Sequence, residues 1–333
     1  MKLRLLAFTQ RGYDLARELG KKLRGEASRC GQGCTLEEWT AEGFRSGEPL
    51  VFVGAVGIAV RAIAPYVKSK TSDPAVVVVD EGGTYAIALL SGHLGGANDL
   101  ARQIAAVSKA QAIITTATDV HGLFPVDQWA KRQGLQVENP ERIKLVSSKV
   151  LAGEPIFIKS AWPIGGPPPA GVQQTQEEPC DVELSCRPGL RNALHLVPKV
   201  AVLGVGCKRG TPQQALEQAF VRLLAQEGLS PLAVGKVCSI DLKKDEPGLL
   251  AFCDEHSLPL ETYSAGALAA VPGDFPVSDF VRRVTGVDNV CQRAAALGSA
   301  GGAERLLGEK YQREGVTMAL ALRVPELDWR IYE

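Results

Sequence analysis

Residues 75–79 read Ala-Val-Val-Val-Val, apolar at every position. A strand with one wet face alternates polar and apolar side chains, so a run without alternation belongs to a strand covered on both faces, as in a parallel sheet between helical layers. The flanking segments supply the strand and helix alternation that such a sheet needs. Residues 2–9, 50–53, 85–90 and 113–116 read as strands, and 12–23 and 58–66 as helices. Leu100, Ala101, Ile104 and Ala105 recur at helical spacing and give a further helix one apolar face, with Asn98 as its expected cap.

A second alternating series begins near Lys199. Residues 200–203 read as a strand, and Thr211-Pro212-Gln213-Gln214 as a helix start with threonine as cap, proline in the first position and glutamine closing a capping box. Leu216, Ala219, Phe220, Leu223 and Leu224 form that helix's buried stripe. Strands at 237–242, 258–262 and 315–324 follow, with helices near 247–255 and 278–284. In the last strand Val316, Met318, Leu320 and Leu322 share one face, opposite Thr317, Ala319, Ala321 and Arg323.

Between the two series, 129–153 reads as helical and 155–160 as extended. Residues 162–180 then bring a Gly-Gly-Pro-Pro-Pro run and a polar stretch, a linker or long surface loop. At 333 residues the chain exceeds what one core usually organises. The expected class is therefore α/β: two α/β domains with mostly parallel sheets joined by a Pro/Gly-rich linker region. Its divisions are an N-terminal domain over 1–125, a middle region with the linker over 126–197, and a C-terminal domain over 198–333.

Lysine plus arginine equals aspartate plus glutamate at 37 each, which leaves no overall field to recruit nucleic acid or an anionic membrane. Any anionic ligand must be held by local clusters. No apolar run approaches membrane-spanning length, and the apolar stretch within 1–14 is too short for a signal peptide, so the expected location is cytoplasmic. The eight cysteines are expected to be reduced thiols, with Cys30 and Cys34 the one close pair and no metal site.

Three constellations carry candidate chemistry. In Ser91-Gly92-His93-Leu94-Gly95-Gly96-Ala97-Asn98-Asp99, a histidine that titrates near neutral pH lies among glycines that let a ligand approach the backbone. Asp80, Glu81 and the loop 115–119 are expected at the same sheet edge, where a carboxylate would orient His93. The alternative is a glycine-rich turn with an incidental histidine, with Asp80, Glu81 and Asp119 as turn residues. The second constellation, Gly204-Val205-Gly206-Cys207-Lys208-Arg209-Gly210-Thr211, suits an anion at a helix start. Its third glycine is one residue late for a dinucleotide loop, and Glu227 is poorly placed to hold a ribose. Cys207 there reads as a packed thiol before a nucleophile. The third, Asp241-Leu242-Lys243-Lys244-Asp245-Glu246-Pro247-Gly248, is a charged loop, either solvated or a second anion contact. His121, His195 and His256 share no ligand spacing.

Together these stretches resemble the CbiG family, the cobalt-precorrin 5A hydrolases of anaerobic cobalamin biosynthesis. The resemblance rests on Gly54-Ala55-Val56-Gly57-Ile58-Ala59-Val60-Arg61, Lys70 with Asp73-Pro74-Ala75, Asp80-Glu81-Gly82, Ser91 through Asn98, Thr115 through Asp119, and the two loops at 204–211 and 243–249. It implies hydrolytic opening of the ring A lactone of cobalt-precorrin 5A, then loss of the methylated bridging carbon as acetaldehyde to leave cobalt-precorrin 5B. For that reaction His93 is the candidate base, assisted by Asp80 or Glu81, with amides around Gly95 and Gly96 supporting the oxyanion. Arg61, Lys70, Lys208, Arg209, Lys243 and Lys244 would meet the substrate's acetate and propionate groups. Ser91, Gly92, Asn98, Thr115, Thr116, Asp119, Asp245, Glu246 and Ser264 complete the expected substrate-binding set, and a ring of that size calls for a cleft between the two domains. Cobalt is expected to arrive in the substrate, with no separate cofactor, and precorrin methyltransferases are the expected transient partners. The rival readings are a non-catalytic corrinoid carrier and a nucleotide-dependent oxidoreductase.

Overall fold

The computed structural model describes residues 2–69, 72–92, 95–116, 123–189 and 192–330. Packing divides the chain into one unit of Met1–Trp129 with Ser147–Glu154 and another of Ala130–Val146 with Pro155–Glu333. The first is built on strands β1 (Leu3–Ala7), β2 (Gly25–Arg29), β3 (Leu50–Val53), β4 (Val76–Val79), β5 (Tyr85–Leu90) and β6 (Gln111–Ile113), in the order β2-β1-β3-β4-β5-β6. Its helices are α1 (Gln10–Leu23), α2 (Leu36–Ser46), α3 (Val56–Ile63) and α4 (Ala97–Ser108).

The valine strand β4 shows why the unit has two helical layers. Val77 and Val79 pack with Ala16 and Leu19 of α1 and with Leu100 and Ile104 of α4. Val76 and Val78 point the other way, into Trp39 of α2 and Ala59 and Ile63 of α3. All four valines are fully buried, each contributing on the order of 2 kcal/mol of apolar burial. Strand β2 and helix α2 come from residues that the sequence pattern leaves unassigned. Helix α2 is nonetheless well signalled, because Thr35 and Glu38 form a reciprocal capping box.

The sheet is mostly parallel, as expected, with one antiparallel pair. Strands β2, β1, β3 and β4 run parallel, but β5 returns antiparallel to β4, and β6 follows β5 in parallel. The reversal is made locally by Asp80, whose carboxylate accepts hydrogen bonds from the amides of Gly82 (3.1 Å) and Tyr85 (2.5 Å). A carboxylate bound to its own turn in this way closes a tight hairpin.

The stretch 129–153, expected as helical, instead holds the end of one helix, α5 (Val126–Arg132), and a second, α6 (Ile143–Leu151), separated by strand β7 (Leu135–Val137). Gly134 adopts a left-handed φ of 67° and ends α5. Strand β7 joins β8 (Ile156–Ser160), β9 (Val172–Thr175), β10 (Val182–Leu184) and β11 (Leu194–Pro198) in a sheet ordered β7-β11-β10-β8-β9. The stretch 162–180 is irregular along much of its length but is tied into this sheet through β9 and through buried Ile164 and Cys180.

The third sheet, β14-β13-β12-β16-β15, comprises β12 (Ala201–Cys207), β13 (Val234–Ile240), β14 (Leu260–Tyr263), β15 (Leu306–Arg313) and β16 (Val316–Leu322). Helices α7 (Gln213–Glu227), α8 (Pro247–Glu255), α9 (Ala265–Ala269), α10 (Asp279–Thr285) and α11 (Val290–Gly298) accompany it. The alternation in β16 separates two buried faces. Val316, Met318 and Leu320 fill the core under α7 and α8, whereas Ala319 and Ala321 meet Cys291 and Ala295 of α11. Small residues recur there because α11 lies close: a Cβ on Gly204 would fall 1.8 Å from the Cys291 carbonyl oxygen. Helix α7 begins after Pro212, one residue later than expected, and the Thr211 hydroxyl donates back to the Lys208 carbonyl at 2.8 Å instead of capping.

Candidate active site

Because β5 reverses, Asp80 and the described start of the glycine loop, Ser91 and Gly92, leave opposite edges of the sheet. Asp80 follows the end of β4 and lies beside Tyr85, whereas Leu90 pairs with Val76 at the start of β4. Four residues of strand, about 13 Å, separate those levels. His93, Lys70 and Asp119 lie outside the described residues, as does His121. Both described neighbours of His93, Gly92 and Gly95, follow the Leu90 end, and Gly95 packs against the Asp73 carbonyl. Glu81 is engaged elsewhere, accepting from the Thr9 hydroxyl at 2.5 Å. Exposed Arg61, in the last turn of α3, folds its guanidinium back to within 3.8 Å of the Cβ position of Gly57. The strand run that suggests a parallel sheet carries no signal of the reversal. That signal was the Asp-Glu-Gly-Gly turn, which is short enough for a hairpin and too short for a crossover helix.

The other edge is a built cradle. Ser91 takes a left-handed φ of 56°, which strains an L-residue. Its carbonyl accepts from the Ala97 amide (3.1 Å), and the Gly92 carbonyl accepts from the Asn98 amide (3.0 Å), so the loop folds over the start of α4. Only glycine fits at Gly95, where a Cβ would lie 2.3 Å from the Ser91 Cβ. Gly96 is the helix cap, with φ 90°, and Asn98 is not. Asn98 is instead buried in the first turn, donating from Nδ2 to the Thr116 hydroxyl at 3.1 Å. The contact ties the glycine loop to the residues after β6, with Thr115 exposed alongside. Among the described residues the amides of Gly95 and Gly96 have no partner. The Ser91 hydroxyl is buried and makes no hydrogen bond either.

Asp73, part of the stretch that carries the family resemblance but given no role there, is the buried carboxylate of this edge. It accepts two hydrogen bonds from the Lys68 amide (2.9 and 3.1 Å) and one from the Ser72 hydroxyl (3.2 Å). These bonds order the loop that packs on Gly95. Its local signal is a charge directly before Pro74 and an apolar strand.

In the second unit, the loops after β12, β13 and β14 leave the same sheet edge, because the three strands are parallel. Lys208, Arg209, Lys244 and Asp245 are exposed there. Lys243 and Glu246 are not free for a ligand. Their side chains are 14% and 5% exposed and pair at 2.7 Å, and the second Glu246 oxygen accepts the Gly210 amide at 2.6 Å. The hydrogen bond from Lys243 holds the Glu246 carboxyl below its usual range, helped by the Gly210 amide and by the charges of Lys243 and Arg209. The anion in this loop is therefore the protein's own carboxylate, where a phosphate would have to sit in a nucleotide site. Gly204 and Gly206 lie inside β12, not in a phosphate loop, and Glu227 ends α7. Those placements count against the oxidoreductase reading. Burial raises the Cys207 thiol, in keeping with a packed side chain. Ser264 caps α9, its hydroxyl accepting from the Ala267 amide at 3.2 Å. His195 and His256 each pair with a carboxylate, Glu138 at 2.6 Å and Glu217 at 2.7 Å. Among the described residues, no helix is long and apolar enough to cross a membrane.

Comparison with known proteins places both loop systems in one family. The family model described as Cobalamin synthesis G N-terminal matches residues 38–119, and that described as Cobalamin synthesis G C-terminus matches 201–321. A cobalt-precorrin-5A hydrolase of Salmonella typhimurium is 38% identical over 297 residues, 84% of each chain. Another, from Priestia megaterium, is 36% identical over 300 residues, 84% of this chain and 79% of that one. Among solved structures, CobE, a protein from the cobalamin (vitamin B12) biosynthetic pathway, is 29% identical. It covers 38% of this chain and 92% of its own, at a TM-score of 0.35. This chain belongs to the cobalamin synthesis G family.

Proposed function

We propose that this chain is a cobalt-precorrin-5A hydrolase, which adds water to the ring A lactone and releases the methylated bridging carbon as acetaldehyde, leaving cobalt-precorrin 5B. The two hydrolases at 38% and 36% identity support the reading. The cobalt is part of the substrate, and the proposal gives the protein no cofactor of its own. The observation that carries the site is Ser91, a strained residue with a buried hydroxyl that bonds to nothing, in a loop where the half-buried Gly95 and Gly96 make no amide hydrogen bond among the described residues. An unpaired buried hydroxyl costs about 1–3 kcal/mol, and backbone strain of this kind concentrates where a site needs it.

A lactone gives that hydroxyl a partner. As water attacks the carbonyl carbon, charge collects on oxygen, and donors already aimed at it stabilise the charge without reorganising. Ser91 and the amides of Gly95 and Gly96 are assigned that role, and His93 that of the base that takes the water's proton. Breaking the ester bond frees an alcohol. Removal of its proton lets the carbon–carbon bond break, with acetaldehyde leaving and the bond's electron pair passing into the conjugated macrocycle. Exposed Lys208, Arg209 and Lys244 supply cations for the peripheral carboxylates.

The test is anaerobic incubation with cobalt-precorrin 5A and trapping of acetaldehyde. His93→Ala should abolish release, and Ser91→Ala should slow it by roughly 10²-fold, the usual effect of losing one oxyanion donor. Substrate binding should stay within a few-fold in both. Unchanged turnover in Ser91→Ala would remove the cradle from the reaction. Tight binding by the native chain without acetaldehyde would establish the carrier instead.

A further inference from the structure

Cys30 and Cys34 are absorbed by none of this chemistry, yet the fold brings their thiols together. Cys30 leaves β2 with its amide donating to the Ala7 carbonyl (2.9 Å). The chain then turns back on itself, the Gly31 amide donating to the Cys34 carbonyl (3.0 Å) and the Gln32 amide to the Arg29 carbonyl (3.1 Å). Gly31 and Gly33 both take a φ of 80°, and nothing lies within 4 Å of either Cβ position. The turn is open to solvent and hinged at two glycines. The Cys34 thiol points back across it, 3.8 Å from the Arg29 carbonyl oxygen. That oxygen belongs to the peptide bond leading into Cys30, so the Cys34 sulfur lies within about 7 Å of the Cys30 Cα by bond geometry alone. Both side chains pack against the same apolar cluster around Trp39 and Phe52. Burial, and then the neighbouring Cys30 thiol, raise the Cys34 thiol above its ordinary range.

We propose that Cys30 and Cys34 form a reversible intramolecular disulfide by exchange with a small-molecule disulfide such as oxidised glutathione. One protein thiolate attacks the glutathione disulfide, forming a mixed disulfide and releasing one glutathione thiolate. The second protein thiolate then displaces the other glutathione. Two protein thiols are oxidised, their two protons pass to solvent or to the released thiolates, and one glutathione disulfide becomes two thiols. A loop of five residues lets the sulfurs meet with a small adjustment of the glycine hinges. In the chain-entropy account, closing it favours the folded state about thirtyfold. The bond would fasten the end of β2 to Thr35, the cap of α2.

The experiment equilibrates the whole chain anaerobically in glutathione buffers of rising oxidised fraction at pH 8, followed by alkylation and mass analysis of the peptide holding both cysteines. The expected result is joint loss of both alkylation sites, a peptide lighter by two hydrogens and free of glutathione, reversal by dithiothreitol, and a higher melting temperature for the oxidised form. Cys30→Ser and Cys34→Ser should each convert the remaining thiol to a glutathione adduct under the same buffer. Independent glutathione adducts on the unaltered chain, alkylation of both thiols at every ratio, or a bond formed only in denaturant would each overturn the proposal. Acetaldehyde release is not a readout here, so the result stands apart from the assigned hydrolase activity.

Discussion

Replacing Glu246 tests the claim that the basic loops of the second unit are held together from inside. Glu246→Ala removes a carboxylate that is 5% exposed, leaves the Lys243 ammonium without its partner at 2.7 Å, and orphans the Gly210 amide. Breaking a fully buried pair costs about 3–5 kcal/mol, but this one sits just beneath the surface, where water screening and movement of Lys243 recover part of the loss. Two charge-assisted hydrogen bonds of this kind amount to about 2–3 kcal/mol. For a unit of this size that corresponds to a melting temperature lower by roughly 4–10 °C. Glu246→Gln should cost less, since the amide oxygen still accepts from Gly210. The pH dependence has a definite sign. The folded-state carboxyl is held below its ordinary range, so its stabilisation is present above the unfolded value near 4.3 and is lost as pH falls through the lower folded value. Urea unfolding of the native chain and Glu246→Gln should therefore differ by a constant amount from about pH 5 to 8, with the gap narrowing below about pH 4. A melting temperature unchanged in Glu246→Ala, or a gap that does not shrink in acid, would refute the reasoning.

The reassignment of Asp80 predicts that Asp80→Ala costs about 1–2 kcal/mol through the two turn amides it leaves unbound, while acetaldehyde release per folded molecule stays within a few-fold. Loss of turnover in a fully folded Asp80→Ala protein would return it to the site. Gly95→Ala forces a methyl to within 2.3 Å of the Ser91 Cβ, so it should lower stability by about 1–3 kcal/mol and reduce turnover more than Ser91→Ala does. Equal or higher turnover would mean that the loop's shape is irrelevant. Gly204→Ala meets the backbone of α11 at 1.8 Å and should yield little folded protein, and near-native solubility and melting would show that α11 can move away.

Local chemistry was legible wherever a residue acts on its own neighbourhood. The unbroken valines of β4 specified a strand with helices on both sides, since no other arrangement keeps both of its faces from water. The glycines of the 91–96 loop and the bounds of β3, β5 and α8 also followed from pattern. What the pattern could not supply was polarity and partnership. Periodicity is the same for a strand read in either direction, so only the assembled sheet shows that β5 turns back and carries Ser91 and Gly92 away from Asp80. Charge in sequence does not say whether a carboxylate faces a ligand or a lysine, and Glu246 proves to face Lys243 and Gly210. Composition and spacing determined the sheet-and-helix class and the motifs, because these depend on near neighbours. Which motifs share an edge depended on hydrogen bonding between strands distant in the chain, which only the folded molecule decides.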